Sequence, residues 1–122
     1  MRDERKDLRD RTKVFAIKVI RMYSTLPKST EAQVLGKQVL RSGTSVGANY
    51  REACRSRSKA EFVAKLGDCL KELDETSYWF ELLVETKTVA SASLEPLQKE
   101  CEELLAIFTT IAKKCKSSET KP

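Results

Sequence analysis

Histidine is absent from the 122 residues. With it go the commonest general base, the Ser-His and Cys-His nucleophile pairs, and every zinc site built on imidazole. Cysteine is scarce. Cys54, Cys69, Cys101 and Cys115 never approach C-x-x-C spacing, which argues against a four-thiolate zinc site. Cys101 and Cys115 fall on one predicted helix, about 21 Å apart at 1.5 Å per residue, too far to bridge. Free thiols packed as small apolar groups in a reducing compartment are expected. No apolar run approaches the ~20 residues of a membrane span. The opening Met1-Arg2-Asp3-Glu4-Arg5-Lys6 lacks the apolar stretch of a secretory signal. These absences point to a soluble, cytoplasmic chain with no enzyme active site, no metal and no cofactor.

What is present is charge, unevenly spread. Residues 1–59 carry 15 Lys and Arg against 6 Asp and Glu, a net of +9, whereas residues 60–122 carry 8 against 12, a net of −4. All nine arginines lie at or before Arg57. Such asymmetry hints at nucleic acid or an acidic surface, and Arg is the side chain suited to bidentate phosphate contacts. Apolar residues make up 40% of the chain, enough for one core without disulfides or metal, and the length allows one domain.

Proline and glycine are few, and they fall mostly where helices should end or touch. The pattern predicts an all-α, antiparallel up-down four-helix bundle over residues 1–116, with helices at about 8–25, 30–55, 59–87 and 94–116, and a disordered tail at 117–122. Thr30 and Gln33 fit a capping box, as do Ser58 and Glu61. Pro96 is tolerable in the first turn of the last helix. At 100° per residue, Leu97, Cys101, Leu104, Phe108, Ile111 and Cys115 share one side of the fourth helix. Phe62, Leu66, Cys69, Leu73, Phe80 and Val84 do so on the third; Leu35, Val39, Ser42, Val46 and Ala53 mark the core side of the second. The first helix differs. Phe15, Val19, Met22 and Leu26 form one apolar stripe, yet Val14, Ile17 and Ile20 lie on other sides. A helix apolar almost all round is buried all round, so self-association through Val14, Ile17 and Ile20 is expected.

The second helix holds the most informative stretch, residues 41–53. Gly36, Gly43 and Gly47 share one side. Each costs roughly 0.5–1 kcal/mol against alanine inside a helix, which suggests a close neighbouring backbone. The stretch lacks the G-x-x-x-x-G-K-[ST] order of a phosphate loop. Ser42, Ser45 and Asn49 lie near the buried side, where hydrogen-bonded polar groups would fix register. Opposite the core stripe, Lys37, Arg41, Thr44, Ala48, Arg51 and Arg55 fall on one line, about 27 Å long, and Arg57 and Lys59 extend it. Cations separated by small residues suit a polyanion backbone that must come close. On the third helix Glu61, Asp68, Glu72, Glu75 and Trp79 share a face, expected to meet a basic face of the first two helices or of a neighbouring subunit.

Leu26-Pro27-Lys28, the run from Gly36 to Ala53, Arg57 to Phe62 and Lys71 to Trp79 closely resemble the bacterial four helix bundle protein family, over roughly residues 8–112. Its members are encoded in intervening sequences of large-subunit ribosomal RNA genes and as free-standing genes. The resemblance implies a left-handed up-down bundle assembling into a ring, typically a pentamer. A related protein, the accessory variability determinant of diversity-generating retroelements, binds nucleic acid and its reverse transcriptase. By similarity Arg41, Ser42, Ser45, Asn49 and Glu52 match signature positions, with Gly43 and Gly47 between them. This chain has Glu52-Ala53 where many relatives have Glu-Gly.

The function expected is a non-catalytic homo-oligomeric scaffold. It binds RNA or DNA through Lys37, Arg41, Arg51, Arg55 and Arg57, with Lys13, Lys18 and Arg21 in support. The alternative is a protein–protein adaptor whose basic face docks an acidic partner such as a reverse transcriptase.

Overall fold

Four helices, α1 (Glu4–Ser24), α2 (Thr30–Cys54), α3 (Lys59–Glu85) and α4 (Ser91–Thr120), make up the computed structural model, which describes residues 4–120. Short connections force each helix to run back along its predecessor. Packing joins α1 to α2, α2 to α3 and α3 to α4, with a looser α1–α4 seam closing the bundle. The four-helix, all-α architecture is the one the apolar periodicity predicts. Among the described residues no helix is long and apolar enough to cross a membrane.

Each helix end has a local cause. Ser58 Oγ accepts the Glu61 N–H at 3.1 Å, one half of the expected capping box. The other expected box is displaced. Ser29, not Thr30, caps α2, accepting from the Ala32 N–H, while the Gln33 amide donates to the Pro27 carbonyl and accepts from the Tyr23 hydroxyl. α3 stops at Glu85 rather than Lys87 because Lys87 takes a left-handed φ of 60°. The Lys87 N–H returns to the Val84 carbonyl, and those of Thr88 and Val89 to Leu83. α1 starts four residues earlier than expected, with Glu4 and Asp7 in a first turn where the helix dipole favours acids. Leu8 is thereby buried inside the helix instead of opening it.

The last helix overruns its expected range at both ends. It begins at Ser91, so Pro96 lies in its second turn, not its first. Ala92, Glu95 and Pro96 are exposed, where solvent satisfies the carbonyl left without a donor. At the other end nothing in Ser117-Ser118-Glu119-Thr120 breaks a helix, and α4 continues to Thr120 in place of the tail expected from 117. Residues 121–122 of that tail lie outside the described residues.

The core runs the length of the bundle: Phe15 and Val19 from α1, Val39, Val46 and Tyr50 from α2, Leu66, Leu73, Phe80 and Leu83 from α3, and Leu94, Leu104 and Phe108 from α4. Tyr50 is the largest fully buried side chain and meets Phe108 edge-on at 5.3 Å. Among the described residues three polar side chains are buried, and all are bonded. Thr12 Oγ1 donates to the Leu8 carbonyl. Ser42 Oγ donates to the Gln38 carbonyl and accepts from Thr76 Oγ1 at 2.7 Å, which ties α2 to α3 inside the core. Cys69 and Cys101 are free, buried thiols pushed up to about 12 by burial, their S–H groups directed at the Val46 and Leu73 carbonyls. Cys54 and Cys115, also free, are half-buried.

Arg11 straps the loose seam. Its guanidinium donates to both oxygens of Glu100 at 2.7 Å and to Glu103 at 2.9 Å. Hydrogen bonding to Arg11 holds the Glu100 carboxyl below its ordinary value and raises that of Arg11. Beside this strap an open groove of about 760 Å³ runs between α1 and α4 over Leu8, Val14, Ala106, Ile107 and Ile111.

Two sets of variants test this account. A Cβ on Gly67 meets nothing within 4 Å, so Gly67→Ala should stabilise by about 0.5–1 kcal/mol in urea denaturation. Lys87→Gly relieves the left-handed residue and should gain a similar ~0.5–1 kcal/mol. Gly43→Val should cost about 1–3 kcal/mol by overpacking against Val19, and its tolerance would contradict the close α1–α2 approach. For the strap, the lowered Glu100 value contributes stability present above the unfolded value of about 4.3 and lost as pH falls through the folded one. Arg11→Ala should therefore cost about 1 kcal/mol at pH 7, discounted for exposure, and markedly less at pH 3. An equal cost at both pH values would show that the ion pair is not the source.

Candidate functional site

α2 approaches α1 along its glycines. A Cβ on Gly47 would stand 3.2 Å from Thr12 Oγ1, one on Gly43 3.0 Å from Val19 Cγ2, and one on Gly36 would collide with Leu26. This antiparallel register brings the last turn of α2 beside the first turns of α1. There Lys6, Arg9 and Asp10 line a cleft of about 300 Å³ together with Arg51, Cys54 and Arg55. Four cations thus converge around one carboxylate. Arg9, Arg51 and Arg55 are exposed and have no ion pair among the described residues. Arg5 lies nearby, its guanidinium 5.2 Å from the Phe62 ring centre. Beneath the cleft Tyr50 is buried, which raises its phenol above the ordinary range, with Cys54 adding to the effect.

Of the residues expected to meet a polyanion, Arg51 and Arg55 are thus brought together. Lys6 and Arg9 were not expected and join them. Arg41 is a correction. Its guanidinium binds Glu72 at 3.3 Å and Glu75 at 3.0 Å on α3, so it is committed within the chain though about half of its side chain remains exposed. It sits 40° toward α3 from the centre of the cationic line, within reach of those carboxylates. Arg57 is nearly fully exposed beside the cleft end of the bundle, with a long 4.0 Å pair to Glu61. Lys37 and Lys13 are exposed, away from the cleft lining. Lys18 and Arg21 turn the other way. They line a hollow with Val89, Ser93 and Leu97 between α1 and the start of α4, and so do not extend the α1–α2 surface.

The α3 carboxylates do meet cations, all within the chain. Glu72 and Glu75 take Arg41, and Asp68 lies 4.0 Å from Lys65, which also pairs with Glu52 at 3.2 Å. Trp79 is half-buried, its indole N–H without an acceptor among the described residues. Among the described residues no group of acids and thiols is arranged to hold a metal. The signature stretch divides by role. Ser42, Gly43 and Gly47 make core and α1 contacts; Ser45 Oγ donates to the Arg41 carbonyl; Glu52 forms the Lys65 pair; Asn49 is half-buried.

Sequence reasoning missed Lys6 and Arg9 because their place depends on how two helices align end to end. A signal was available. The chain turns back at Pro27, and folding it there sets the start of α1 beside the end of α2. The same reasoning placed Val14, Ile17 and Ile20 off the core, and they are exposed at 48%, 38% and 49%.

Comparison with known proteins agrees with this architecture. No protein of curated function matches the chain. The crystal structure of a protein of unknown function from the S23 ribosomal protein family of Bacteroides thetaiotaomicron VPI-5482 superposes with a TM-score of 0.84 at 36% identity. It covers 91% of this chain and 99% of its own. The family model for the 23S rRNA-intervening sequence protein matches residues 4–110, nearly the whole bundle, and the chain belongs to that family.

Proposed function

We propose that this protein is a non-catalytic scaffold that grips the phosphate backbone of RNA or DNA in the cleft between the start of α1 and the end of α2. The observation that carries the reading is the convergence of Lys6, Arg9, Arg51 and Arg55 on one surface with Asp10 as the sole acidic lining residue. Like charges held together raise the energy of the folded chain, and a polyanion reverses that cost while releasing its counterions. Arg57, exposed beside the cleft, extends the grip; Lys37 and Lys13 provide outlying contacts. Arg41 acts mainly as the link to α3. Contacts of this type carry affinity without sequence readout. The reference to 23S rRNA in the family description agrees with a polyanion partner without naming one.

Self-association through Val14, Ile17 and Ile20 belongs to the same reading, and the resemblance implies a ring of five. The second reading is an adaptor whose cleft docks an acidic protein such as a reverse transcriptase, favoured by the exposed apolar surface of α1.

Fluorescence anisotropy with labelled RNA and DNA oligonucleotides provides the test. Four phosphate contacts predict a loss of roughly a hundredfold in affinity on duplexes between 50 and 200 mM salt. Binding should vanish in the triple variant Arg9→Ala, Arg51→Ala, Arg55→Ala and survive in Lys18→Ala, Arg21→Ala. Salt-independent affinity, or full binding by the triple variant, defeats the nucleic-acid reading. Binding of a purified acidic partner that persists after nuclease treatment favours the adaptor.

A further inference from the structure

Asp10 is the odd member of the cationic cleft. Lys6, Arg9, Arg51 and Arg55 bring only hydrogen-bond donors, and Cys54 adds a half-buried thiol. Asp10 supplies the one carboxylate of the lining among the described residues. Its own helix offers it cations. Lys6 stands four residues before it and Lys13 three after, the spacings at which side chains on a helix meet. The Asp10 carboxylate nevertheless makes no ion pair and no hydrogen bond among the described residues. It also lines the groove between α1 and α4, which sets it on the exposed ridge of α1 at the edge of the cleft.

Charge attraction alone gives this carboxylate no role. A phosphate drawn in by the four cations is pushed back by Asp10, so a cleft built only on attraction would do better with a neutral residue there. The hydrogen-bonding groups of a nucleic-acid backbone do give it one. Phosphate oxygens and the sugar ring oxygen accept and cannot donate, and deoxyribose within a strand adds no donor. Ribose adds one, the 2′-hydroxyl, on the carbon next to the one that carries the 3′-phosphate. Guanidinium groups that hold this phosphate bring the hydroxyl to the edge of the cleft, where Asp10 is the acceptor.

We propose that Asp10 makes the cleft selective for RNA: its carboxylate accepts the ribose 2′-hydroxyl while Arg9, Arg51 and Arg55 hold the adjoining phosphate. With DNA the same carboxylate faces a C–H and keeps only its repulsion toward the phosphates. Selection therefore combines a bond gained with RNA and an uncompensated repulsion left with DNA, both at one residue. Base N–H groups are the competing donors, but they occur equally in RNA and DNA of one sequence and give no preference of this kind. The inference rests on the polyanion reading of the cleft and adds to it the choice between the two nucleic acids.

The test is fluorescence anisotropy on the full chain with single-stranded oligoadenylate of one length in ribose, 2′-deoxyribose and 2′-fluoro forms. Fluorine keeps the sugar pucker of RNA and removes the donor proton, which separates the hydroxyl from the shape of the strand. The ribose strand should bind roughly tenfold tighter than either of the others. Asp10→Ala should bring all three to within about twofold of one another, mainly by tightening the deoxyribose and fluoro strands. Asp10→Asn, which keeps an acceptor oxygen without the charge, should retain part of the preference. Glu4→Ala removes an acid from the same end of α1 but outside the cleft lining, and should tighten all three strands alike. Both positions are exposed, and unchanged helical circular dichroism checks the fold of each variant. Equal binding of the three strands by the native chain, a fluoro strand that binds as well as the ribose strand, or a preference that survives Asp10→Ala would overturn the role of Asp10. The polyanion reading outlives those results if the triple variant Arg9→Ala, Arg51→Ala, Arg55→Ala still abolishes binding. Undiminished binding by that triple variant defeats both.

Discussion

A helix lies close to its neighbour only where side chains leave room, and α2 clears that room for α1 at Gly36, Gly43 and Gly47. The cost is backbone entropy, about 0.5–1 kcal/mol per glycine. The return is that Val19 and Thr12 nest against bare backbone, and Thr12 is drawn fully into the interior, where its hydroxyl bonds within its own helix. The same contact fixes the lengthwise register of α1 on α2. From that register follows the meeting of Lys6 and Arg9 with Arg51 and Arg55, one to two turns along from Thr12 and Gly47. The candidate site is therefore a consequence of packing on the opposite edge of the same two helices. Bulk at Gly43 or Gly47 would act on the cleft without touching any of its cations.

The charge asymmetry of the two halves is largely resolved inside the molecule. Arg41 crosses to Glu72 and Glu75, Lys65 crosses to Glu52, and Arg11 spans to Glu100 and Glu103. Arg41 and Arg11 thus tie the basic first half to the acidic second half on two different seams, α2–α3 and α1–α4, while the Lys65–Glu52 pair runs the other way. Each pair is partly exposed and individually worth little. What they decide is where positive charge is left over. The α1–α2 seam has no acidic helix beside it, because both of its helices come from the basic half. Arg9, Arg51 and Arg55, exposed and without an ion pair among the described residues, collect there for a topological reason.

Periodicity made the four helices and their inward faces legible, since 3.6-residue spacing of apolar groups survives any tertiary detail. Val14, Ile17 and Ile20 could be assigned outside the core for the same reason. Helix ends were harder. Ser29 takes the cap from its neighbour Thr30, Lys87 adopts a left-handed turn that its identity does not announce, and nothing in the sequence marks where α4 should stop before Pro122. Tyr50 closes a polar run and was not among the residues expected in the core; its burial against Phe108 shows that it belongs there. The line of cations on α2 divides between two neighbouring helices. Its members span 80° of the helix, enough for Arg41 at one margin to reach α3 while Arg51 at the other reaches the α1 cleft. Angular position on one helix tells which residues share a side; it does not tell which neighbour claims them.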